Sequence, residues 1–153
     1  MIPLPHILIV EDNEDDYEAT VRSFRRAHFV NPISWCRHGQ QALDFLRYEG
    51  EFARRVDCQA DLILLDLNMP GLDGRKVLDV LKRDDALKTI PVVILTTSSD
   101  VRDVEECYAL GASTYIQKPV DFKGLAEAIR TMNDYWFGIA LLPQTQPHRG
   151  ENA

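Results

Sequence analysis

Three nearly unbroken aliphatic runs of strand length limit what this chain can fold into: residues 6–10, 62–65 and 92–95. They lack the polar alternation of a half-exposed strand, which suits parallel strands that are covered on both faces. Two weaker candidates, residues 33–36 and 114–117, mix polar with apolar residues as edge strands do. The sequence therefore predicts three internal strands and two edge strands.

The segments between these runs have a helical hydrophobic period. The last segment is the clearest, because its apolar residues keep a 3-4-3-4 spacing behind an expected N-cap at Asp121: Phe122, Leu125, Ile129, Met132 and Trp136. Strands that alternate with helices favour right-handed crossovers and a parallel sheet. We predict a doubly wound α/β domain of the flavodoxin-like (βα)5 type with strand order 2-1-3-4-5, which puts the weaker runs at the edges.

Length and charge narrow the possibilities further. The chain has 153 residues, 45% of them apolar, which is enough for one sizeable core. We predict a single domain over residues 1–142 and a flexible tail over residues 143–153. The net charge of −7 argues against a nucleic-acid partner, since phosphate contacts need clustered Lys and Arg. The basic pairs Arg25-Arg26 and Arg54-Arg55 are expected to be solvated surface.

The spacing of the cysteines and the lack of long apolar stretches indicate the cellular compartment. Cys36, Cys58 and Cys107 lie far apart and lack the spacing of a metal or redox pair, so we expect reduced thiols. The start of the chain has no basic segment before its short apolar run. No stretch approaches the roughly 20 apolar residues of a membrane span. We therefore expect a cytoplasmic protein without membrane association.

Chemically capable side chains follow four of the predicted strands. Glu11 and Asp12 follow the first strand, Asp66 the third, Thr96 the fourth and Lys118 the fifth. In an open α/β sheet, ligands bind beyond the carboxyl ends of the strands. Alone, Asp12 could merely cap the first helix and Lys118 could be a surface lysine. The coincidence of all five at the strand ends instead indicates a site.

Carboxylates brought together repel by roughly 4 kcal/mol per pair at about 4 Å in an effective dielectric near 20. A hard divalent cation such as Mg²⁺ relieves this repulsion, and it usually binds one or two carboxylates together with substrate phosphate. Asp66 could then act as a nucleophile and form an acyl phosphate. Lys118 would hold a phosphoryl oxygen, and Thr96 would donate a hydrogen bond to another.

The motifs ILIVED, LILLDLNMPGLDG, ILTTS and YIQKP resemble those of receiver domains of bacterial two-component systems, over about residues 5–137. The resemblance implies phosphorylation by a sensor histidine kinase on Asp66. It implies Mg²⁺ bound by Glu11, Asp12, Asp66 and the backbone carbonyl of Asn68. It also implies phosphate binding by Thr96 and Lys118, a switch pair of Thr96 and Tyr115, and a cis Lys118-Pro119 peptide. Such a regulator catalyses only its own phosphotransfer and autodephosphorylation and is not otherwise an enzyme.

Two residues depart from the usual receiver pattern. Glu11 stands where Asp is commoner, which would let it reach the metal through water. Thr97 stands where Ala or Gly is usual, and its bulk would restrict access to the site. Either departure would change the lifetime of the phosphorylated form.

A closer resemblance comes from the stretches LLDLNMPGLDGRKVL and YIQKPVDF and from the aromatic ending YWF. Together they are similar to the single-domain regulators that partner cyanobacterial phytochrome kinases. The resemblance implies a phytochrome as the kinase. Because we expect no output domain after the receiver, the signal is expected to leave by a surface of the receiver itself.

Three other classes of protein remain as alternatives. A haloacid-dehalogenase-type phosphatase also uses a nucleophilic Asp and Mg²⁺, but it needs a second Asp where this chain has Asn68. A flavodoxin-type electron carrier shares the fold, but the carboxylates would repel a flavin phosphate. A docking module without chemistry would not need Asp66, Thr96 and Lys118 together.

The segment after Met132 contains six large apolar residues: Tyr135, Trp136, Phe137, Ile139, Leu141 and Leu142. That is too many for one core-facing stripe, and monomers rarely expose such a patch. We predict a homodimer that uses Tyr135, Trp136 and Phe137 together with the face formed by the fourth helix, fifth strand and fifth helix. The alternative is that the segment folds back over its own sheet.

Overall fold

The computed structural model describes residues 4–143. Five parallel strands form one sheet in the order β2-β1-β3-β4-β5. They are β1 Ile7–Val10, β2 Ile33–Cys36, β3 Leu62–Leu65, β4 Val92–Thr96 and β5 Thr114–Gln117. The predicted flavodoxin-like fold and strand order are confirmed.

A helix follows each strand in the chain: α1 Glu14–Arg26, α2 Gly39–Arg47, α3 Gly74–Arg83, α4 Val101–Leu110 and α5 Phe122–Asp134. Side chains cap the helices at their first turns, as Asp121 does for α5 by accepting from the N–H of Gly124. At α1 the cap is Asn13, which accepts from the N–H of Asp16. The carboxylate of Asp12 is therefore not used as the helix cap.

The core lies on both faces of the sheet. Leu8 and Val10 point into a cluster with α2, α3 and α4, whereas Ile7 and Ile9 point into a cluster with α1 and α5. All four side chains are buried. Burying each of them stabilises the fold by roughly 1.5–3 kcal/mol, and burial on both faces explains why the central strands lack polar alternation.

The chain continues from α5 into a π-helical turn, Tyr135–Ile139. Trp136 and Phe137 pack against the cluster under α1 and α5, and the Phe137 ring centroid lies 5.2 Å from that of Phe29. Tyr135 is 51% exposed and Ile139 74%. The segment thus folds back partly over its own domain and leaves part of its apolar surface exposed.

The predicted tail lies, except for Pro143, outside the described residues. Within residues 4–143, none of the helices is long and apolar enough to cross a membrane.

Candidate functional site at the carboxyl edge of the sheet

The sheet register brings the predicted carboxylates together. Val10 pairs with Leu65 at the ends of β1 and β3, so the next residues of both strands leave the sheet side by side. Glu11, Asp12 and Asp66 each offer a carboxylate oxygen, and these oxygens all lie within 4.8 Å of one another. Glu11 and Asp66 are buried, and Asp12 is half-buried.

Gly74 allows this arrangement at the start of α3. A Cβ atom added there would lie 2.3 Å from the backbone oxygen of Asp66, too close for any side chain. The glycine therefore lets the first turn of α3 pack directly against the chain that carries the central carboxylate.

Lys118 lies at the centre of the cluster. Its backbone N–H donates to the carbonyl of Thr96 at 2.6 Å, which ties the end of β5 to the end of β4. Its ammonium forms a hydrogen-bonded ion pair with Glu11 and lies 3.5 Å from the Oδ2 atom of Asp66. It also lies 3.2 Å from the Oδ2 atom of Asp16.

Asp16 is a site residue that the sequence analysis missed. It lies in the first turn of α1 between other acidic residues, Glu14, Asp15 and Glu18, so the sequence does not show which carboxylate faces the site. Its position three residues after the cap Asn13 is the one available signal.

The pKa values of Glu11 and Lys118, the ion pair at the centre of the site, are both raised, but for different reasons. Burial raises the pKa of Glu11 above its ordinary value and the charge of Asp66 adds to this shift, while Lys118 opposes it. Burial lowers the pKa of Lys118, but the bond to Glu11 and the charges of Asp66, Glu11 and Asp16 outweigh it, so this pKa is raised. Burial is thus the main cause of the shift at Glu11, whereas the excess of negative over positive charge in the site causes the shift at Lys118.

This excess fits a hard divalent cation. Three carboxylate oxygens converge, and one ammonium does not neutralise them. Such donors are those that Mg²⁺ takes in proteins, where it supplies charge neutralisation at a phosphoryl group. The predicted fourth ligand residue, Asn68, is exposed beside the cluster, and its backbone N–H lies 3.5 Å from the Oδ1 atom of Asp66.

Thr96 ends β4 and is fully buried. Its hydroxyl has no hydrogen-bond partner among the residues that the structure describes. An unpaired buried hydroxyl costs about 1–3 kcal/mol, so its presence next to the carboxylates indicates a group that a ligand would satisfy. Tyr115, the predicted switch partner, is half-buried against the core, and its hydroxyl donates to the carbonyl of Ser98 at 2.9 Å.

The predicted cis Lys118-Pro119 bond is wrong for this structure, in which no peptide within residues 4–143 is cis. The trans form is favoured by about 0.5–1 kcal/mol before proline. Lys118 makes its contacts with Glu11, Asp16 and Asp66 in the trans arrangement, so the ion pairs do not require the rarer isomer.

A doubly wound sheet with clustered carboxylates, a lysine and a buried hydroxyl at its carboxyl edge defines a class of phosphoryl-accepting signalling domains. The chain belongs to the response regulator receiver domain family, which matches residues 7–130. Receiver domains act in two-component phosphorelays, are phosphorylated by histidine kinases and are generally not classed as enzymes. This chain is a response regulator receiver of a phosphorelay. The similarities give no support to the phosphatase alternative.

Two relatives illustrate the similarity. The response regulator Rcp1 of Synechocystis is 35% identical over 137 residues, which cover 90% of this chain and 92% of that protein. A probable methanogenesis regulatory protein, FilR2 of Methanothrix harundinacea, is 38% identical over 132 residues, covering 86% of this chain and 83% of the relative.

Solved structures of response regulators have the same fold and are similar in sequence to this chain. The phosphorylated cyanobacterial phytochrome response regulator RcpA is 36% identical with a TM-score of 0.86, covering 92% of this chain and 99% of that one. A response regulator in red light signalling of R. palustris has a TM-score of 0.87 at 36% identity, covering 93% of this chain and 100% of that one. The Mn²⁺-bound form of Rcp1 has a TM-score of 0.85 at 34% identity, covering 92% and 100%.

Proposed function

We propose that the protein accepts the phosphoryl group on Asp66, with Mg²⁺ held by Glu11, Asp12, Asp66 and the backbone carbonyl of Asn68. The observation that carries this proposal is the meeting of three carboxylate oxygens within 4.8 Å, with the Lys118 ammonium 3.5 Å from Asp66. Asp66 is the central carboxylate, since it lies in contact with the lysine and between the ends of β1 and β4.

In the transfer, a carboxylate oxygen of Asp66 bonds to phosphorus while the bond between phosphorus and the imidazole nitrogen of the kinase histidine breaks. The electron pair of that bond stays on the imidazole, which keeps or regains a proton from water. The bound cation supplies neutralisation of the phosphoryl charge. Lys118 holds one phosphoryl oxygen as a point charge, and the unpaired hydroxyl of Thr96 donates to another. Hydrolysis of the acyl phosphate by water returns Asp66 to its carboxylate.

The same hydroxyl links the chemistry to a change of shape. A phosphoryl group on Asp66 demands donors, and Thr96 is the buried hydroxyl at the adjacent strand end. Movement of Thr96 toward the phosphoryl group shifts the loop after β4, to which the Tyr115 hydroxyl is bonded through Ser98. The pair Thr96 and Tyr115 thus forms the switch, and its output face is α4, β5 and α5.

For the donor we propose a phytochrome histidine kinase in the cytoplasm. Support comes from the similarity, at 36% identity, to a phytochrome response regulator and to a regulator in red light signalling. The three cysteines are unpaired, which suits a reducing compartment.

A phosphotransfer assay tests the site. We expect the wild-type chain to take label from a phosphorylated phytochrome kinase in Mg²⁺, and Asp66→Asn or a chelator to abolish it. Asp85→Asn is the matched control, because it removes the same charge from a side chain that is 93% exposed. Label that persists in Asp66→Asn would overturn the site. Equal initial rates with an unrelated kinase would overturn the phytochrome partnership alone.

We also propose a homodimer through the output face and the segment after α5. Support comes from the apolar surface that its own domain leaves exposed, namely Tyr135, Ile139 and Leu141. Trp136 and Phe137 of the predicted interface are half-buried against their own core, so they would support the interface from beneath. A two-fold arrangement would place each patch on its copy.

A further inference from the structure

We infer that Asp16 is a positioning residue: it retains the Lys118 ammonium in the site when Glu11 turns to a bound divalent cation. The inference rests on the proposed phosphoryl-acceptor site and assigns a role to a carboxylate outside the expected ligand set. Lys118 has three ammonium protons and three carboxylate neighbours, Glu11, Asp16 and Asp66.

Glu11 cannot bind a divalent cation and keep its full contact with the Lys118 ammonium. Its Oε1 atom accepts from Lys118, and its Oε2 atom accepts from the backbone N–H of Asn13 at 3.1 Å. A cation bound at either oxygen withdraws electron density from the carboxylate and repels the nearby ammonium, so the contact between Glu11 and Lys118 weakens. Because the Lys118 side chain is only 9% exposed, water replaces a lost carboxylate poorly.

Asp16 is placed to compensate. Its Oδ2 atom lies 3.2 Å from the ammonium, and its side chain is 49% exposed, so holding it there costs little desolvation. Its backbone is fixed on both sides, since its N–H donates to Asn13 and its carbonyl accepts from the Thr20 hydroxyl at 2.9 Å. Asp16 is not one of the three carboxylates that converge within 4.8 Å, so it acts on the lysine rather than on the cation.

The consequence is a coupling between Asp16 and cation binding that passes through Lys118. With Asp16 present, Glu11 can leave the lysine while the ammonium keeps a carboxylate. Without Asp16, the lysine competes with the cation for Glu11, and the cation binds more weakly.

A double-mutant cycle on Mg²⁺ affinity tests this coupling. Trp35 donates its indole N–H to the Glu11 carbonyl at 2.8 Å, so its fluorescence reports on binding. A Trp136→Phe background removes the other tryptophan of the chain. We expect Asp16→Asn to raise the Mg²⁺ dissociation constant about threefold to fivefold, the range of a partly exposed ion pair. In a Lys118→Met background the same change should have an effect of less than about 1.5-fold.

Asp15→Asn is the control that distinguishes the Asp16–Lys118 ion pair from the general effect of removing a negative charge from α1. Asp15 has the same charge in the same turn and forms no ion pair with Lys118. An Asp16→Asn effect that equals that of Asp15→Asn, or that persists undiminished beside Lys118→Met, overturns the inference. If the wild-type chain binds Mg²⁺ and is labelled on Asp66, such a result leaves the proposed function intact. If the wild-type chain binds no Mg²⁺, both fail. Circular dichroism melting of each variant checks that the fold is retained.

Discussion

The hydroxyl of Tyr115 donates a hydrogen bond of 2.9 Å to the backbone carbonyl of Ser98, which joins β5 to the loop that follows Thr96. The Ser98 hydroxyl in turn donates to Asp103 of α4 at 2.6 Å, and Asp103 is paired with Arg75 of α3 at 2.5 Å. The loop is therefore bonded directly to β5 and α4, and through Asp103 to α3. A shift of Thr96 toward a phosphoryl group must be accommodated by this set of bonds.

We expect Tyr115→Phe to loosen the loop and weaken its response to phosphorylation. Losing one hydrogen bond should lower the free energy of unfolding by about 0.5–1.5 kcal/mol. Hydrogen exchange with and without a phosphoryl mimic would show a smaller change in protection over residues 96–118 than in the wild type. Tyr135→Phe, which alters a half-exposed ring beyond α5, is the control. Equal responses in Tyr115→Phe and wild type would contradict the role of this bond.

Thr96→Val should separate stability from function. Because the buried hydroxyl has no partner among the described residues, its removal should leave the free energy of unfolding unchanged or raise it by about 1 kcal/mol. Phosphotransfer should nevertheless slow by about tenfold or more, the loss expected for one donor to developing charge. Urea denaturation and initial transfer rates measure the two effects.

Ser23→Ala is the matched control for that change, since Ser23 is also buried but its hydroxyl donates to the Ala19 carbonyl, away from the site. It should destabilise the fold by about 1 kcal/mol and leave transfer largely unaffected. A Thr96→Val variant that loses stability yet transfers normally would reverse the assignment.

The cysteines should differ in reactivity at pH 8. Burial raises the pKa of Cys36 to about 12 and that of Cys107 to about 11, whereas Cys58 is exposed. Since the thiolate is the nucleophile, iodoacetamide should label Cys58 in the folded chain and all three cysteines after unfolding. Mass spectrometry gives the count, and Cys58→Ser should abolish native labelling. Rapid labelling of Cys36 in folded protein would show that the core opens.

The raised pKa values of Cys36 and Cys107 also determine how the free energy of unfolding changes with pH. Between about pH 9 and pH 11 the folded chain keeps thiol protons that the unfolded chain has lost, so these two residues make stability fall as pH rises through that range. Cys36→Ala should reduce the slope of unfolding free energy against pH measured by urea denaturation. An unchanged slope would contradict the shift at Cys36.

If the protein forms the proposed homodimer, a single added charge should weaken dimerisation only when it lies in the interface. Ile139→Glu places a carboxylate in the patch beyond α5 and should raise the dissociation constant of the dimer by about tenfold or more, because a charge buried without a partner is costly. Val56→Glu, at a residue equally 74% exposed in the loop before β3, should have no effect. Sedimentation at micromolar concentration distinguishes them. A wild-type chain that stays monomeric with and without phosphorylation refutes the dimer.

Local patterns sufficed to predict the sheet and the meeting of most of the candidate site residues at one of its edges. Aliphatic runs located the strands because strands covered on both faces exclude polar side chains. Once the sheet was parallel, residues that follow the strands had to meet at one edge, which brought Glu11, Asp66 and Lys118 together across more than a hundred positions. No knowledge of side-chain packing was required for that step.

The tertiary structure alone decided which side chains from distant segments become neighbours. The hydrophobic period of a single segment does not encode these contacts. Arg55, expected in solvent, has a side chain only 6% exposed, with its guanidinium 3.8 Å from the Phe45 ring centroid and 4.0 Å from that of Tyr48. Asp16 was selected among adjacent carboxylates by how α1 docks on the sheet. Phe137, which lies outside the apolar stripe of the last helix, packs on Phe29 because α5 docks against α1. Each outcome depends on which distant segment comes close, and the composition of a single segment does not contain that information.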